Sequence, residues 1–408
     1  MAKPKFRRTR IVCISDTHNC TVSLPPGDVL IHAGDLTNQG SYSELSKTIR
    51  WLEAADYEAK IVVAGNHDIT LDSDFYFHHG KTFHNDFDEQ KSADCLALLT
   101  SSPSITYLCH DSATIRLKSP EGPHTEFTVF GSPYSPRHGL WAFYYDAPTK
   151  SNDPEGQGQT HGEREDGDKV DEEEEEVELT ALWELIPLEA DIVVTHTPPR
   201  THRDDLRSDG PRREGCEALR QALWRVRPKL AVCGHIHSKR GAERVTWDLR
   251  NPRVPFAEKS IIEWEDPGQG SGKQSLVDLT GRRDRALDND GSYPGRPGTK
   301  NGTRRGANGV RNGQDGEDEG EEEEEEDDDD DTALSDPSRD DSRSSVGYGV
   351  SLDSFNRCDC EALRGRMGRR ETCIVNAAIL KTSHPHAGGK EFNKPIVVDV
   401  DLPVWEED

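Results

Sequence analysis

Seven side chains of metal-ligating type follow short apolar segments of the sequence, at the point where each segment gives way to polar residues. The segments are RIVCIS, DVLIHA, KIVVA, DIVVT and KLAVC. The candidate ligands are Asp16, His18, Asp35, Asn66, His196, His235 and His237. Carboxylate, amide and imidazole donors together suit Mn, Fe or Zn better than an oxygen-lined calcium site or a thiolate zinc site. Seven ligands exceed the needs of one tetrahedral ion and suit two ions that share a carboxylate.

The spacing of the candidates also favours metal binding. On extended backbone, residues i and i+2 point to the same side. Asp16 with His18, and His235 with His237, can therefore each reach one site together. A glycine stands directly before three of the candidates, and it permits a tight turn in which the backbone approaches an ion closely.

The apolar segments alternate with segments of helical periodicity, which is typical of an α/β domain. Ser41 with Glu44 forms a capping box, and it predicts a helix start. Leu45, Ile49 and Leu52 then recur on one helical face. In an open α/β sheet, side chains from distant parts of the chain converge beyond the carboxyl ends of the strands. We therefore expect the candidate ligands to meet at that edge.

Two segments rich in Gly, Asp and Glu interrupt this pattern, at 149–177 and 265–345. High charge with few apolar side chains cannot offset the entropy of ordering, so both are predicted to be disordered acidic inserts. Strand-like segments return at 372–380 and 395–402, and we expect both to pair with the body of the protein. The chain is therefore predicted to form a single domain over 9–404. Its core segments would be 9–148, 178–264 and 371–404.

The charge of the chain is concentrated in two runs. There are 77 acidic and 50 basic residues, and the runs Asp171–Glu178 and Asp315–Asp331 contain 7 and 15 of the carboxylates. The remaining chain, with 55 acidic and 50 basic residues, is nearly neutral, which argues against binding of nucleic-acid polymers. The longer run is a possible binding segment for a basic protein partner.

Membrane insertion and secretion are not indicated by the sequence. No apolar stretch approaches the roughly 20 residues that a membrane-spanning helix needs, and no signal-peptide core follows the first residues. The nine cysteines are scattered without a CxxC pair, which favours reduced thiols. We expect a soluble cytoplasmic protein, with the nucleus as the alternative location.

The ordered motifs DTH, GD, GNHD, TH and GHIH resemble the calcineurin-like metallophosphoesterase superfamily. The further segments LIHAGDLT, GSPYSP and THTPP, with the two late strands, resemble its branch of metallophosphoesterase-domain proteins related to class III cyclic-nucleotide phosphodiesterases. The resemblance covers the three core segments and leaves out the inserts. It implies a four-layer α/β/β/α sandwich of two mixed sheets with flanking helices.

The resemblance also implies roles for the candidate residues. The first ion would be held by Asp16, His18, Asp35 and His237. The second would be held by Asp35, Asn66, His196 and His235, so that the Asp35 carboxylate bridges the two ions. His67 takes the place of the catalytic histidine. It would stabilise the phosphoryl oxygens or give a proton to the leaving alkoxide.

The function implied is hydrolysis of a phosphoester by a hydroxide that bridges two divalent ions and attacks phosphorus in line. Arg137, His138 and His202 are candidates for contacting the substrate. A cyclic nucleotide, another diester, a monoester and a phosphoprotein all remain open as substrates. The alternative is a catalytically weak scaffold of the same fold that recruits basic partners through its acidic insert.

Overall fold

The computed structural model describes most of the predicted core. The residues it describes are 5–85, 88–146, 179–204, 214–249, 254, 256–280, 286–287, 289, 369–381 and 389–405. The predicted insert at 149–177 and most of the predicted insert at 265–345 lie outside these residues. The disorder of both inserts and the single-domain organisation stay predictions.

Six strands form the first sheet. They are β1 (Phe6–Ile14), β2 (Val29–Ala33), β3 (Ala59–Val63), β4 (Ile105–Leu108), β13 (Ser275–Leu279) and β15 (Ile396–Pro403). Their spatial order is β13-β15-β1-β2-β3-β4. The strands β1 to β4 run parallel, while β15 pairs antiparallel with β1. The sheet is therefore mixed, and the carboxyl ends of β1, β2 and β3 lie at one edge.

Seven strands form the second sheet. They are β5 (Asp111–Arg116), β6 (Glu126–Ser132), β9 (Ile192–Thr195), β10 (Leu230–Cys233), β11 (Gly241–Trp247), β12 (Glu258–Glu263) and β14 (Glu371–Asn376). Their order is β12-β11-β14-β10-β9-β6-β5. The four central strands run parallel, and the outer pairings are antiparallel. Two short strands, β7 (Ser135–Pro136) and β8 (Tyr144–Tyr145), pair separately.

The helices pack outside the two sheets. They are α1 (Tyr42–Glu53), α2 (Ser73–Phe83), α3 (Ser92–Thr100), α4 (179–184) and α5 (Glu217–Val226). The capping box predicted for Ser41 and Glu44 is confirmed, with each side chain bonded to the other's backbone N–H. The apolar face predicted for α1 is also confirmed as buried. None of the helices in the described ranges is long and apolar enough to cross a lipid bilayer.

Three apolar clusters hold the layers together. Alternation along β1 places Ile11 and Cys13 in the core between the sheets, and Val12 and Ile14 against the helical layer of α1 to α3. A third cluster, which includes Trp183, packs α4 and α5 on the second sheet. Burying an Ile or Leu side chain contributes about 1.5–3 kcal/mol, so these clusters favour the stacked arrangement strongly. The predicted four-layer sandwich is thereby confirmed.

The late strands also pair as expected. β14 lies inside the second sheet between β10 and β11, and β15 lies inside the first between β1 and β13. The start of the predicted insert at 265 is wrong, however, because β13 lies within it and pairs parallel with β15. Burial alternates along this strand, with Ser275, Val277 and Leu279 buried and Leu276 and Asp278 half-buried. Five residues at a sheet edge produce only a weak apolar signal within a polar segment.

Candidate metal centre

Tight turns at the strand ends direct the candidate ligands into one site. Asp16, His18, Asp35 and His235 have φ values of 52°, 43°, 53° and 66°, in the left-handed region that non-glycine residues rarely adopt. Such a backbone conformation costs of order 1–3 kcal/mol per residue and persists only where the surroundings impose it. Four of the twelve non-glycine residues with positive φ in the described ranges are therefore candidate ligands.

Two glycines let these turns approach one another. Gly34 has a φ of 100°, and a Cβ there would overlap the His196 ring. A Cβ on Gly234 would overlap the Asp16 carboxylate. Any larger residue at either position would push a candidate ligand away, which is why glycine stands directly before Asp35 and before His235.

The first group of donor atoms surrounds Oδ2 of Asp35. That oxygen lies 3.5 Å from His18 Nε2, and His18 Nε2 lies 3.4 Å from His237 Nε2. His237 Nε2 in turn lies 3.3 Å from Asp16 Oδ1. All four residues are at most 7% exposed. Two carboxylates and two imidazoles therefore converge here.

The second group surrounds the other oxygen of Asp35. Oδ1 of Asp35 lies 3.4 Å from His196 Nε2. Asn66 Oδ1 lies 2.9 Å from that nitrogen and 3.0 Å from His235 Nδ1. The two ring nitrogens are 3.3 Å apart. The structure thus brings all seven predicted ligands together, and the two oxygens of Asp35 face different groups.

Backbone carbonyls fix which ring nitrogen faces the site. Nδ1 of His18 donates to the Thr37 carbonyl oxygen at 3.1 Å, because a carbonyl can only accept. Nδ1 of His196 donates to the Ala33 carbonyl oxygen at 3.0 Å. Each ring therefore presents Nε2 to its group. Such partners orient the ring and raise its basicity as a ligand.

Burial and mutual charge set the protonation of the site. Burial acts to raise the pKa of Asp16, but the nearby His237 outweighs it and lowers that pKa to about 2. Burial likewise opposes ionisation of Asp35, and His196 outweighs it and holds the pKa well below the usual range. Burial lowers the pKa of His18 to about 4 and, together with His196, that of His235 to about 3. Both carboxyls are therefore ionised at neutral pH, and both of these rings are neutral.

His196 differs from the other two rings. Burial acts to lower its pKa, but the charge and hydrogen bond of Asp35 outweigh burial and raise it to about 9. One proton is therefore held between the His196 ring and the Asp35 carboxylate, in a position that a cation could occupy instead. Metal binding in such a group releases that proton.

The donor set fits divalent cations. Two atoms bound at about 2.0–2.1 Å to one ion lie about 2.9–3.4 Å apart at octahedral or tetrahedral angles. The nitrogen–nitrogen distances of 3.3 and 3.4 Å agree with this spacing. Two imidazole nitrogens that face each other can share at most one proton in a hydrogen bond, whereas a cation satisfies both lone pairs.

His67 stands at the edge of the two groups. Its backbone N–H donates to Asp35 Oδ1 at 2.9 Å, and its Nδ1 donates to the Asn38 carbonyl oxygen at 2.8 Å. The indole of Trp141 stacks on the ring with a centroid distance of 3.8 Å and an interplanar angle of 30°. His18 meets the ring edge-on at 4.8 Å. The ring is held in place, and Nε2 is the nitrogen left to exchange a proton.

A shallow depression next to Asn66 contains one of the predicted substrate residues. It is lined by Asn66, Ser135, Pro136, His138, Trp141, Ala142 and Tyr144. His138 is exposed there. Arg137 is also exposed, with its guanidinium 4.0 Å from the Tyr144 ring centroid and 3.3 Å from Asp146. The placement of both agrees with a substrate-contacting role, which stays a prediction.

His202 lies in a different environment from the one expected of a substrate contact. It is fully buried, with Nδ1 2.5 Å from Glu243 and Nε2 3.2 Å from Glu258. Arg203 pairs with Glu243, and Arg220 pairs with Glu258. We call these five residues the His202 cluster. Because carboxylates occupy both ring nitrogens, this placement corrects the expectation that His202 contacts substrate.

The charges of the His202 cluster stabilise one another. Burial acts to lower the pKa of His202, but its hydrogen bonds with Glu243 and Glu258 outweigh burial and raise it above 6.5. Burial acts to raise the pKa of Glu258, but His202 and Arg220 outweigh it and lower that pKa to about 2. The charged forms of His202 and Glu258 therefore favour each other.

Two residues that support the site were not identified from the sequence. Asp68 is fully buried and accepts hydrogen bonds from the backbone N–H groups of Leu36, Thr37 and Gly65, so it joins the turns after β2 and β3. Its position directly after His67 in GNHD was the available signal. Trp141, which stacks on His67, was visible only as an aromatic residue after GSPYSP.

Comparisons with known proteins relate this chain to phosphoesterases. The family model for calcineurin-like phosphoesterase matches residues 9–239. The chain is 36% identical over 245 residues to metallophosphoesterase domain-containing protein 1 of Homo sapiens, covering 57% of this chain and 62% of that protein. It is 40% identical over 242 residues to a probable rhamnogalacturonate lyase C of Emericella nidulans, covering 59% of this chain and 18% of that protein.

A likeness to a solved structure is also found. The purple acid phosphatase isolated from yellow lupin (Lupinus luteus) seeds is 12% identical to this chain, with a TM-score of 0.30. The match covers 62% of this chain and 41% of the phosphatase. For both curated relatives above, this chain spans less than two thirds of the relative's own length.

Proposed function

Since this chain belongs to the calcineurin-like phosphoesterase family, whose members are hydrolases of phosphoric esters, we propose that it hydrolyses a phosphoester with two divalent ions. Membership confirms the resemblance indicated by the ordered motifs. The observation that carries the proposal is the Asp35 carboxylate, whose two oxygens face two separate groups of donor atoms. A carboxylate so placed can bridge two ions.

We assign the ligands as follows. The first ion would be held by Asp16, His18, Asp35 and His237. The second ion would be held by Asp35, Asn66, His196 and His235. Mixed carboxylate, amide and imidazole donors favour Mn, Fe or Zn. Bound in these groups, the two ions would lower the pKa of a shared water so that hydroxide attacks phosphorus at neutral pH, and would neutralise charge on the phosphoryl oxygens.

His67 would perform the proton chemistry at the leaving group. Its Nδ1 already donates to the Asn38 carbonyl oxygen, so Nε2 is the nitrogen that can donate to the substrate. Stacking on Trp141 restrains the ring, which keeps the donor aimed in one direction. A protonated Nε2 can bond a phosphoryl oxygen or give its proton to the departing alkoxide. General acid catalysis of this kind contributes typically about 10²–10⁴-fold.

Two other functions have less support. The lyase name belongs to a relative of which this chain covers only 18%. The scaffold alternative requires no ligand set, whereas all seven predicted ligands converge here. Recruitment of a basic partner by the acidic run stays a prediction, because the run lies outside the described residues. The cytoplasmic location also stays a prediction.

Metal loading with a parallel assay tests the proposal. Purified protein would be stripped with a chelator, reloaded separately with Mn²⁺, Fe²⁺ or Zn²⁺, and analysed for metal content by mass spectrometry. We expect about two ions per chain, with restored hydrolysis of a nitrophenyl phosphodiester or monoester. Cyclic nucleotides in the same assay would narrow the substrate class. A reloaded protein that binds fewer than one ion per chain, or hydrolyses none of these esters, contradicts the proposal.

A further inference from the structure

The side chain of Asn376, at the carboxyl end of β14, reaches the loop that carries two candidate ligands. It is fully buried. Its Nδ2 donates to the Ile236 carbonyl oxygen at 3.0 Å and to the Gly234 carbonyl oxygen at 3.3 Å. The Arg203 carbonyl oxygen lies 3.4 Å from the same nitrogen. The two N–H groups of one amide are thus shared among three buried carbonyls.

The two shorter contacts act on the peptides that precede the ligands. The Gly234 carbonyl belongs to the peptide that enters His235, and the Ile236 carbonyl belongs to the peptide that enters His237. His235 has a left-handed φ of 66°, which needs support from its surroundings. An amide that holds both peptide planes supplies that support and fixes the direction of both rings.

The backbone after Asn376 extends this connection to the first sheet. Ala377 N–H donates to the Cys233 carbonyl at 2.8 Å, and Ile379 N–H donates to the Ser15 carbonyl at 2.8 Å. Ser15 directly precedes Asp16, whose carboxylate accepts from the backbone N–H of His235 at 3.0 Å. Residues 376–379 therefore join the strand ends of both sheets at the metal centre, although they follow the predicted acidic insert in the chain.

We propose that Asn376 is a positioning residue, which sets the orientation of His235 and His237 and so the affinity of both metal groups. The inference rests on the proposed metal-dependent function. It adds a residue that lies outside the part of the chain matched by the family model, 9–239. Removing a residue that orients a metal ligand typically weakens metal affinity about 10–100-fold, and we expect that effect here.

Asn289 offers a matched control at the opposite end of the same strand. Its Nδ2 donates to the Glu371 carbonyl at 3.0 Å, and its Oδ1 accepts from the backbone N–H groups of Arg370 at 2.7 Å and Glu371 at 3.1 Å. It is thus also an asparagine that clamps the backbone of β14. Replacing it loosens the strand without touching the loop of His235 and His237.

The test uses the full chain with Co²⁺, whose visible absorption reports the geometry of its ligands. The variants are Asn376→Ala, Asn376→Ser and Asn289→Ala, each compared with the parent in Co²⁺ affinity, visible spectrum and melting temperature of the metal-free form. We expect Asn376→Ala to bind Co²⁺ about 10–100-fold more weakly with an altered spectrum. Asn376→Ser, which keeps one donor, should lose less. Asn289→Ala should bind within about twofold of the parent.

Two results would overturn the positioning role. One is an Asn376→Ala protein with the affinity and spectrum of the parent. The other is an Asn289→Ala protein that loses as much affinity, because the effect would then be general loosening of β14. If Asn376→Ala does not fold, Asn376→Ser decides by the same two criteria. A parent that binds no Co²⁺ would instead refute the proposed function, so the two failures are distinguishable.

Discussion

The metal centre and the His202 cluster are both buried groups of histidines and carboxylates, yet their geometries are opposite. In the metal centre, ring nitrogens face each other, at 3.4 Å for His18 with His237 and at 3.3 Å for His196 with His235. In the His202 cluster, each nitrogen of the ring faces a carboxylate, at 2.5 and 3.2 Å. Burial and residue type alone therefore do not identify a metal site. The direction in which the ring nitrogens point distinguishes the two groups.

The charges of the two groups are balanced in different ways. Glu243 and Glu258 are paired with Arg203 and Arg220, so the His202 cluster is complete without a ligand. At the metal centre, Asp35 is approached by imidazoles and by the backbone N–H of His67. The hydrogen-bond acceptor atoms of this group outnumber the donor hydrogens, so the group can bind a cation.

Removal of the Asp35 carboxylate should have the largest effect on the metal centre and none on the His202 cluster. Asp35→Asn removes the negative charge and one of the two donor oxygens, so the side chain can no longer serve both groups, and we expect both ions to be lost and hydrolysis to fall by at least about 10⁴-fold. Metal analysis and initial rates measure this. Glu243→Gln, in the His202 cluster, is the matched control and should keep both ions. Two ions retained by Asp35→Asn would contradict the bridging assignment.

The next effect separates catalysis from metal binding within the site. His67→Gln removes the proton donor but no ligand, so both ions should stay bound while kcat falls about 10²–10⁴-fold. Metal content and steady-state rates are compared with those of the parent. His78→Gln, on the exposed face of α2, controls for loss of a histidine. A His67→Gln enzyme as fast as the parent would remove this residue from the mechanism.

Replacing His202 should lower stability and leave metal binding and catalysis unchanged. His202→Gln leaves buried carboxylates short of a partner, so the free energy of unfolding should fall by about 3 kcal/mol. Urea denaturation measures this fall in the free energy of unfolding. Metal content and turnover of the folded protein should match the parent, because no ligand is touched. A variant with normal stability but slow turnover would return His202 to the active site.

The smallest effect expected is the pH dependence of that stability difference. The pKa of Glu258 is lowered from 4.5 to about 2, so its contribution is present above pH 4.5 and is lost as the pH falls toward 2. The pKa of His202 is raised above 6.5, so its contribution is full below pH 6.5 and declines at higher pH.

Unfolding of the parent and of His202→Gln by urea at several pH values measures this dependence. Their difference in unfolding free energy should be largest between pH 4.5 and 6.5 and smaller by about 1 kcal/mol at pH 3. A difference that does not vary from pH 3 to 6 would show that the pairing of His202 with Glu258 contributes nothing to stability.

The convergence of the ligands was predictable because each one lies within four residues of the carboxyl end of a strand. Asp16, Asp35 and Asn66 end neighbouring parallel strands, whose carboxyl ends must lie at one edge. Local sequence fixes both the strand and the turn in these motifs. The start of α1 was predictable for the same reason, since its capping box spans only four residues.

The environments of His202 and Asn376 were not predictable, because their partners are distant in the sequence. Glu243 and Glu258 are 41 and 56 residues beyond His202. Asn376 lies 140 residues beyond Ile236 and reaches it only because the register pairs Asn376 with Cys233 of β10. Neither a local pattern nor a periodicity carries that information. A histidine after THTPPR therefore resembles a site residue until the sheets are assembled.

The position of β14 and β15 inside their sheets bears on how the chain is made. Each is flanked on both sides by strands that precede it in sequence, and between 290 and 368 the ribosome must translate a long polar stretch first. Until residues 371–403 have left the exit tunnel, both sheets lack an interior strand. The nascent protein would therefore expose unpaired strand edges while that stretch is being translated.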